Sequence, residues 1–481
     1  MMPQGLKPSY YNFFFDYDGE THLAFNALTG AFARINDASY ESFNRLLNDP
    51  DNFEPRDENE TRLLEGAKRA QFVVDSEYNE FDIIKFRANR LKYASETFHL
   101  TIMPTLDCNF RCPYCYENFQ KGKMSLEMQD ALCDWVNAKL KGAVVFNVSW
   151  FGGEPLMAFD VLRNLSQRFK KLCKRRQVRY VAGITTNGYF LTPKIVDRIK
   201  ELSIKVYQIT IDGPPETHDK RRVLINGNPT FSRILNNLTN LCEKIPDVDV
   251  KIRVNFDPAS FDQIPGLFPL IPEIVRSKSE IYFRQAFPSP KWWDKNEPSK
   301  KTYVSRNMGR LDYMKLQTAA QDYGFKVLVS NYSPQAGYCE ADYANHFVID
   351  PSCNIHKCTV AFDEEHRVGK IFADGQVEVN VPLMAKWILR NTYERDICKN
   401  CKILPLCMGG CGFDSMCSKS NEICSTINSE SMTIENLKML YKNQLIDNQR
   451  AAEKRRQKNK LNAERRKLKL KKGVRETVPV G

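Results

Sequence analysis

Three cysteines within eight residues are the first group that could do chemistry. Residues 105–117 read TLDCNFRCPYCYE and place Cys108, Cys112 and Cys115 at the spacing C-x3-C-x2-C. Three thiolates satisfy three irons of a [4Fe-4S] cube and leave the fourth iron open, as a catalytic metal site must. Zinc or a ferredoxin-type cluster also uses closely spaced cysteines, so spacing alone leaves the metal open. A second group follows: Cys339, Cys353, Cys358, Cys398, Cys401, Cys407, Cys411, Cys417 and Cys424. These thiols suffice for two further cubanes, and a CxxC pair with more cysteines behind it also fits a zinc ribbon. Cys133, Cys173 and Cys242 stand alone in helix-like stretches and are expected to be buried core thiols. The residues before Tyr17 lack an apolar stretch followed by a small-residue cleavage site, so no signal peptide is expected. In the cytoplasm that this implies, the fifteen cysteines are expected to serve metal, redox chemistry or burial rather than disulfides.

The elements that must position the first group alternate strand-like and helix-like runs, the pattern of βα units around a parallel sheet. Six strands rich in Val, Ile, Tyr, Phe or Thr are predicted at 97–103, 145–151, 179–185, 205–211, 249–255 and 280–284. Between them, helices are predicted at 125–141, with Ser125 as N-cap, and at 192–202, with Thr192 ahead of Pro193. The three-cysteine loop follows the first strand, and loops at the C-terminal ends of barrel strands converge on one mouth. Further polar motifs end the later strands. Trp150-Phe151-Gly152-Gly153-Glu154-Pro155 follows the second, and its glycines would let backbone approach a ligand while Glu154 offers a carboxylate to an ammonium group. Thr185-Thr186-Asn187-Gly188 ends the third strand, Thr210-Ile211-Asp212-Gly213 the fourth and Arg253-Val254-Asn255 the fifth. Each alone reads equally as a strand-end turn.

Together these residues resemble the radical S-adenosylmethionine (SAM) superfamily over roughly residues 97–284. The resemblance implies a partial (β/α)6 TIM-like barrel of α/β class. It also implies that the open iron chelates SAM and that one electron cleaves SAM to methionine and a 5′-deoxyadenosyl radical. By the same resemblance Gly152, Gly153 and Glu154 match the segment holding the methionyl amino group. Thr186, Asn187, Asp212 and Arg253 match ribose and carboxylate contacts, and Tyr114 matches the aromatic beside adenine. The distal cysteines resemble the SPASM extension of radical SAM peptide maturases. That resemblance implies two auxiliary [4Fe-4S] clusters, three clusters in all, one held by Cys339, Cys358 and Cys411 and the other by Cys398, Cys401, Cys407 and Cys424. One departure stands out: Cys353 occupies a position where the family commonly has glycine, so either Cys353 is the fourth ligand of the first auxiliary cluster or that cluster keeps an open iron that binds a substrate thiolate. Cys417 is an alternative to Cys424.

The predicted organisation is a small N-terminal α+β, winged-helix-like module (1–90), the radical SAM core (95–320), a SPASM domain (335–430) and a basic tail that is helical or disordered (431–481). The N-terminal module is read as strands at 11–17 and 21–26 followed by helices at 38–47 and 60–71. It resembles the leading segment of maturases that bind a leader peptide, where strand pairing would supply affinity through backbone bonds, and it reads equally as a structural cap on the barrel. The net charge of +12 is concentrated at the end, where residues 450–481 carry thirteen Lys/Arg against three Asp/Glu. A solvated helix explains that run, and no nucleic-acid partner is expected. No run approaches the roughly 18 apolar residues of a membrane span. The expected activity is hydrogen abstraction from a peptide, forming a thioether or other crosslink in a ribosomally made substrate, with a reductant such as flavodoxin or ferredoxin. The alternatives are oxidation of Cys or Ser to formylglycine and, more remotely, an iron-sulfur electron carrier or a zinc nucleic-acid binder. By position Asp212, Asp342, Asp350 and Tyr343 are the available general bases.

Overall fold

The computed structural model describes residues 5–117, 119–286, 308–329, 333–417, 424 and 430–473. The chain begins with a short strand β1 (Leu6–Pro8), then a three-stranded antiparallel sheet of β2 (Asn12–Asp16), β3 (His22–Asn26) and β4 (Phe32–Ile35). Helices α1 (Asp37–Asn48) and α2 (Glu58–Ala70) follow, each started by a side-chain cap, Asn36 on Ser39 N and Asp57 on Glu60 N. Strand β5 (Val73–Asp75) returns to pair with β1, and α3 (Glu80–Lys92), capped by Asn79, leads to the barrel. The two expected strands and two expected helices of this module are present. The third strand and the β1–β5 ribbon were not read, because runs of three and four residues carry too little periodicity.

All six expected barrel strands form: β6 (Thr97–Ile102), β7 (Val145–Trp150), β8 (Arg179–Thr186), β9 (Ile204–Thr210), β10 (Asp249–Phe256) and β11 (Ser279–Gln285). They pair in parallel in sequence order. The crossovers are α4 (Leu126–Lys139), α5 (Phe159–Arg176), α6 (Pro193–Ile199), α7 (Pro215–Arg221) and α8 (Phe231–Lys244), which give the partial barrel. Its strands bury alternate large side chains against these helices: Phe98, Leu100 and Ile102 of β6, and Phe146, Val148 and Trp150 of β7. In α8, Phe231, Ile234, Leu238 and Leu241 recur at helical spacing on the buried face. Each such side chain contributes roughly 1.5–3 kcal/mol by leaving water.

The sheet continues past both ends of the six. Short β12 (Lys326–Val327) adds in parallel to β11. On the other side β13 (His346–Ile349) pairs in parallel with β6, His346 opposite His99. Strands β14 (Asn354–His356), β15 (Gly369–Ile371) and β16 (Val377–Val379) then extend it as an antiparallel meander, giving eleven strands among the described residues. The cysteine-rich module therefore shares a sheet with the barrel. It shares a core with the N-terminal module too: Tyr11, Phe13, Phe25 and Ile84 pack with Tyr393, Leu404, Leu406 and Met408.

The basic stretch is a helix, Glu430–Gly473. Leu437 enters the core shared with the N-terminal module, and the Asn443 side chain covers the outer sheet edge, accepting from Val327 N at 3.1 Å and donating to Val327 O at 2.8 Å. Among the described residues no helix is long and apolar enough to cross a membrane.

Candidate functional site

The C-terminal ends of the barrel strands surround a cavity of about 490 Å³ lined by residues from separate segments of the chain. From the loop after β6 come Cys108, Cys112, Tyr114, Cys115, Tyr116 and Glu117; after β7, Gly152 and Gly153; at the end of β8, Thr186 and Asn187. Arg222, Arg253 and Asn255 complete it, with Thr359 and Val360 of the cysteine-rich module closing one side. The three loop thiols thus share one opening, and each lies within electrostatic reach of the others. Burial pushes Cys108 and Cys115 up to about 12 and raises Cys112 as well. Such thiols stay protonated until a metal binds them, since coordination deprotonates a thiol outright.

A glycine turn ties the cysteine loop to β7. Gly153 N donates to Thr105 O at 3.2 Å and Glu154 N to Asp107 O at 2.8 Å. A Cβ at Gly153 would stand 2.3 Å from Asp107 O, and one at Gly152, where φ is +108°, would stand 2.5 Å from Thr105 O. Glycine is required here first by the cysteine loop, and only then by anything in the cavity.

The Glu154 carboxylate does not line the cavity. It is fully buried, accepting from Thr186 Oγ1 at 2.7 Å, Asn187 N at 2.7 Å and Leu156 N at 3.0 Å. Its oxygens hold the end of β8 and start a 3-10 turn, so chain donors take up the carboxylate among the described residues. Asp212 is spent in the same way. It accepts from Asn255 N at 2.8 Å and from the Tyr114 phenol, so it orients Tyr114 instead of lining the opening. Thr186, Asn187, Arg253 and Tyr114 do reach the cavity wall.

Arg222, at the C-terminal end of α7, was not singled out in the sequence. Its Nη1 stands 3.8 Å from Cys112 Sγ and 3.1 Å from Tyr114 Oη, and the residue is 6% exposed. Burial disfavours its charge, but Tyr114, Cys112 and Asp212 outweigh that and hold it cationic. Only its distance in sequence from the cysteines hid it. Glu117 is also new: it lines the cavity, and burial pushes its carboxyl up to about 8. None of the four general-base candidates is among the lining residues. Asp342 is ion-paired with Arg390 at 2.8 Å, and Asp350 holds the turn before β14 through Ser352 N and Asn354 N.

In the cysteine-rich module Cys398, Cys401, Cys407 and Cys424 line one small cavity together with Arg395, whose Nη2 is 3.5 Å from Cys398 Sγ. Cys339 lies within electrostatic reach of Cys358 and Cys411. Cys353, the candidate fourth ligand of the first auxiliary cluster, has other neighbours among the described residues. It is fully buried, points its thiol at Met128 O of α4 at 3.5 Å and neighbours Cys133. Its φ of +59° is the left-handed conformation that glycine favours, which accounts for glycine at this position in the proteins it resembles. The Cys417 side chain lies outside the described ones. Cys133, Cys173 and Cys242 are buried in the barrel core as expected.

Among the described residues no three His, Cys, Asp or Glu side chains gather tightly enough for one metal ion.

A partial barrel whose mouth carries three loop cysteines is a cofactor-dependent enzyme by class. Residues 102–259 match the family model described as the radical SAM superfamily, so this chain carries a radical SAM domain over that stretch and is an enzyme. Such a domain implies SAM and a [4Fe-4S] cluster. The chain is 25% identical over 338 residues to the cysteine-type anaerobic sulfatase-maturating enzyme of Clostridium novyi, across 63% of this chain and 85% of the relative. It is 22% identical over 253 residues to the radical SAM cyclopropyl synthase TigE of Paramaledivibacter caminithermalis, across 47% of this chain and 52% of TigE. In fold it is similar to anSMEcpe with bound AdoMet and the Cp18Cys peptide, with a TM-score of 0.54, 17% identity and coverage of 73% of this chain and 99% of the other.

Proposed function

We propose that this enzyme reductively cleaves SAM and abstracts hydrogen from a residue of a peptide, installing a thioether or other crosslink in a ribosomally made substrate. The observation that carries the reading is the 490 Å³ cavity, bounded by the loop thiols on one side and by Thr359 and Val360 of the cysteine-rich module on the other. When bound, the cluster and SAM supply a carbon-centred radical; the chain supplies position and exclusion of water. Cys108, Cys112 and Cys115 would hold the cluster, with Arg222 compensating its negative charge. Thr186, Asn187, Arg253 and Tyr114 would hold SAM. Two auxiliary clusters, on Cys339/Cys358/Cys411 and on Cys398/Cys401/Cys407/Cys424, suit an oxidation that releases an electron when the new bond forms. A flavodoxin or ferredoxin of the cytoplasm would serve as reductant, and the edge of the β2–β4 sheet would take a leader segment.

One observation favours a second reading, oxidation of Cys or Ser to formylglycine: the chain matches 85% of the length of the C. novyi sulfatase-maturating enzyme. Anaerobically reconstituted protein should carry roughly twelve irons and convert SAM to 5′-deoxyadenosine under reductant. Absence of SAM cleavage would defeat both readings. On a co-expressed Cys-rich peptide, a loss of about two mass units with no reaction toward a hydrazide marks a crosslink, whereas hydrazide capture marks the aldehyde of formylglycine.

A further inference from the structure

Among the charged side chains lining the main cavity, Glu117 stands apart. Both of its carboxylate oxygens are buried, and neither receives a hydrogen bond from a described residue. The arginines that line this cavity or lie in the cysteine loop have other partners: Arg222 has Cys112 and Tyr114, Arg253 has Asn255, and Arg111 has the carbonyls of Cys108 and Phe110. Burying an unpaired carboxylate is costly, and native proteins keep such a group chiefly where something binds it.

Its position says what part of the cavity it serves. Glu117 lies two residues past Cys115, and Tyr116 between them is within electrostatic reach of Cys115, Arg253 and Cys358. This stretch of wall therefore joins the loop thiols to the cysteine-rich module, whose Thr359 and Val360 complete it. Two acceptor oxygens with no donor match a group that brings several N–H donors and the opposite charge, an ammonium or a guanidinium.

We propose that Glu117 is a specificity-determining residue that accepts hydrogen bonds from a lysine or arginine side chain of the peptide seated in this cavity. The inference rests on the peptide-maturase reading and adds to it the charge of the substrate beside the modified residue. A peptide with an acidic residue there brings no N–H donors of opposite charge to these oxygens and is disfavoured.

The test uses the reconstituted enzyme with SAM and three synthetic peptides, identical except for Lys, Leu or Glu next to a central cysteine. Binding is read by fluorescence anisotropy, with iron content checked for every variant. Wild type should bind the Lys peptide about tenfold more tightly than the Leu peptide, and the Glu peptide more weakly than either. Glu117→Gln should bring the Lys and Leu peptides within about threefold of each other, and Glu117→Lys should turn the preference to the Glu peptide. Equal binding of Lys and Leu peptides by wild type, no binding of any of the three, or a Lys preference that survives Glu117→Gln overturns the inference. So does a variant that loses SAM affinity about tenfold with its peptide preference unchanged, which would assign the carboxylate to SAM. If wild type cleaves SAM but lacks the preference, this inference alone falls; if SAM is not cleaved, the reading beneath it falls as well.

Discussion

The Arg222 guanidinium approaches Cys112 Sγ to 3.8 Å from inside the barrel wall, where only 6% of the residue is exposed. A fixed cation at that distance stabilises a thiolate and any cluster the thiolate holds. Arg222→Gln should lower iron retention in the loop cluster by about tenfold or more, in line with the loss of other outer partners of metal ligands. Chelator-challenge kinetics on reconstituted protein measure this directly. Unchanged retention would show that the arginine serves packing alone.

Cys353 and Cys358 lie five residues apart and make opposite predictions. Cys353 donates to Met128 O in the barrel core, whereas Cys358 lies beside Cys339. Cys353→Ala should leave the iron count of the reconstituted protein unchanged while lowering its stability by about 1–2 kcal/mol through lost packing. Cys358→Ala should remove roughly four irons. An iron count that falls equally in both variants would return Cys353 to the ligand set.

The barrel was legible because each of its strands is long enough to show β-branched and aromatic enrichment and is followed by a helical run. Strands β13–β16 were not, since three or four residues cannot establish a period, and their parallel junction with β6 is a tertiary fact. The cysteines announced themselves by spacing. The arginines beside them, Arg222 and Arg395, did not, because chain folding and not spacing brings them to the sulfurs. Glu154 and Asp212 stand out in the sequence as strand-end carboxylates, but their chain partners do not: a carboxylate at a strand end can take backbone N–H groups of the neighbouring strand as readily as a ligand.

Glu60 sets an acid limit on the N-terminal module. It accepts from Arg56 N at 2.7 Å, Arg45 and Ser42, and these bonds hold its carboxyl down at about 2. The folded value lies below the unfolded one of about 4.3, so the stabilisation is complete above that pH and is lost as pH falls toward 2. Hydrogen-exchange protection of α1 and α2 should therefore fall across this window in wild type. Glu60→Gln should lower protection at pH 6 and flatten the dependence below it. A variant that keeps the wild-type pH profile would remove Glu60 as its origin.

Two glycines should respond oppositely to alanine. At Gly153 the new methyl meets Asp107 O at 2.3 Å and Leu106 O at 2.6 Å, both backbone atoms of the cysteine loop that cannot swing aside. Gly153→Ala should cost about 1–3 kcal/mol and, because the loop itself must shift, should impair iron uptake at Cys108, Cys112 and Cys115. Gly66 lies inside α2, with nothing within 4 Å of the added methyl. Gly66→Ala should raise stability by about 0.5–1 kcal/mol, the helix-propensity difference, with iron content unchanged. Thermal melting paired with iron analysis separates the two effects, and a Gly153→Ala protein that melts and loads iron like wild type would show that the turn does not set the loop.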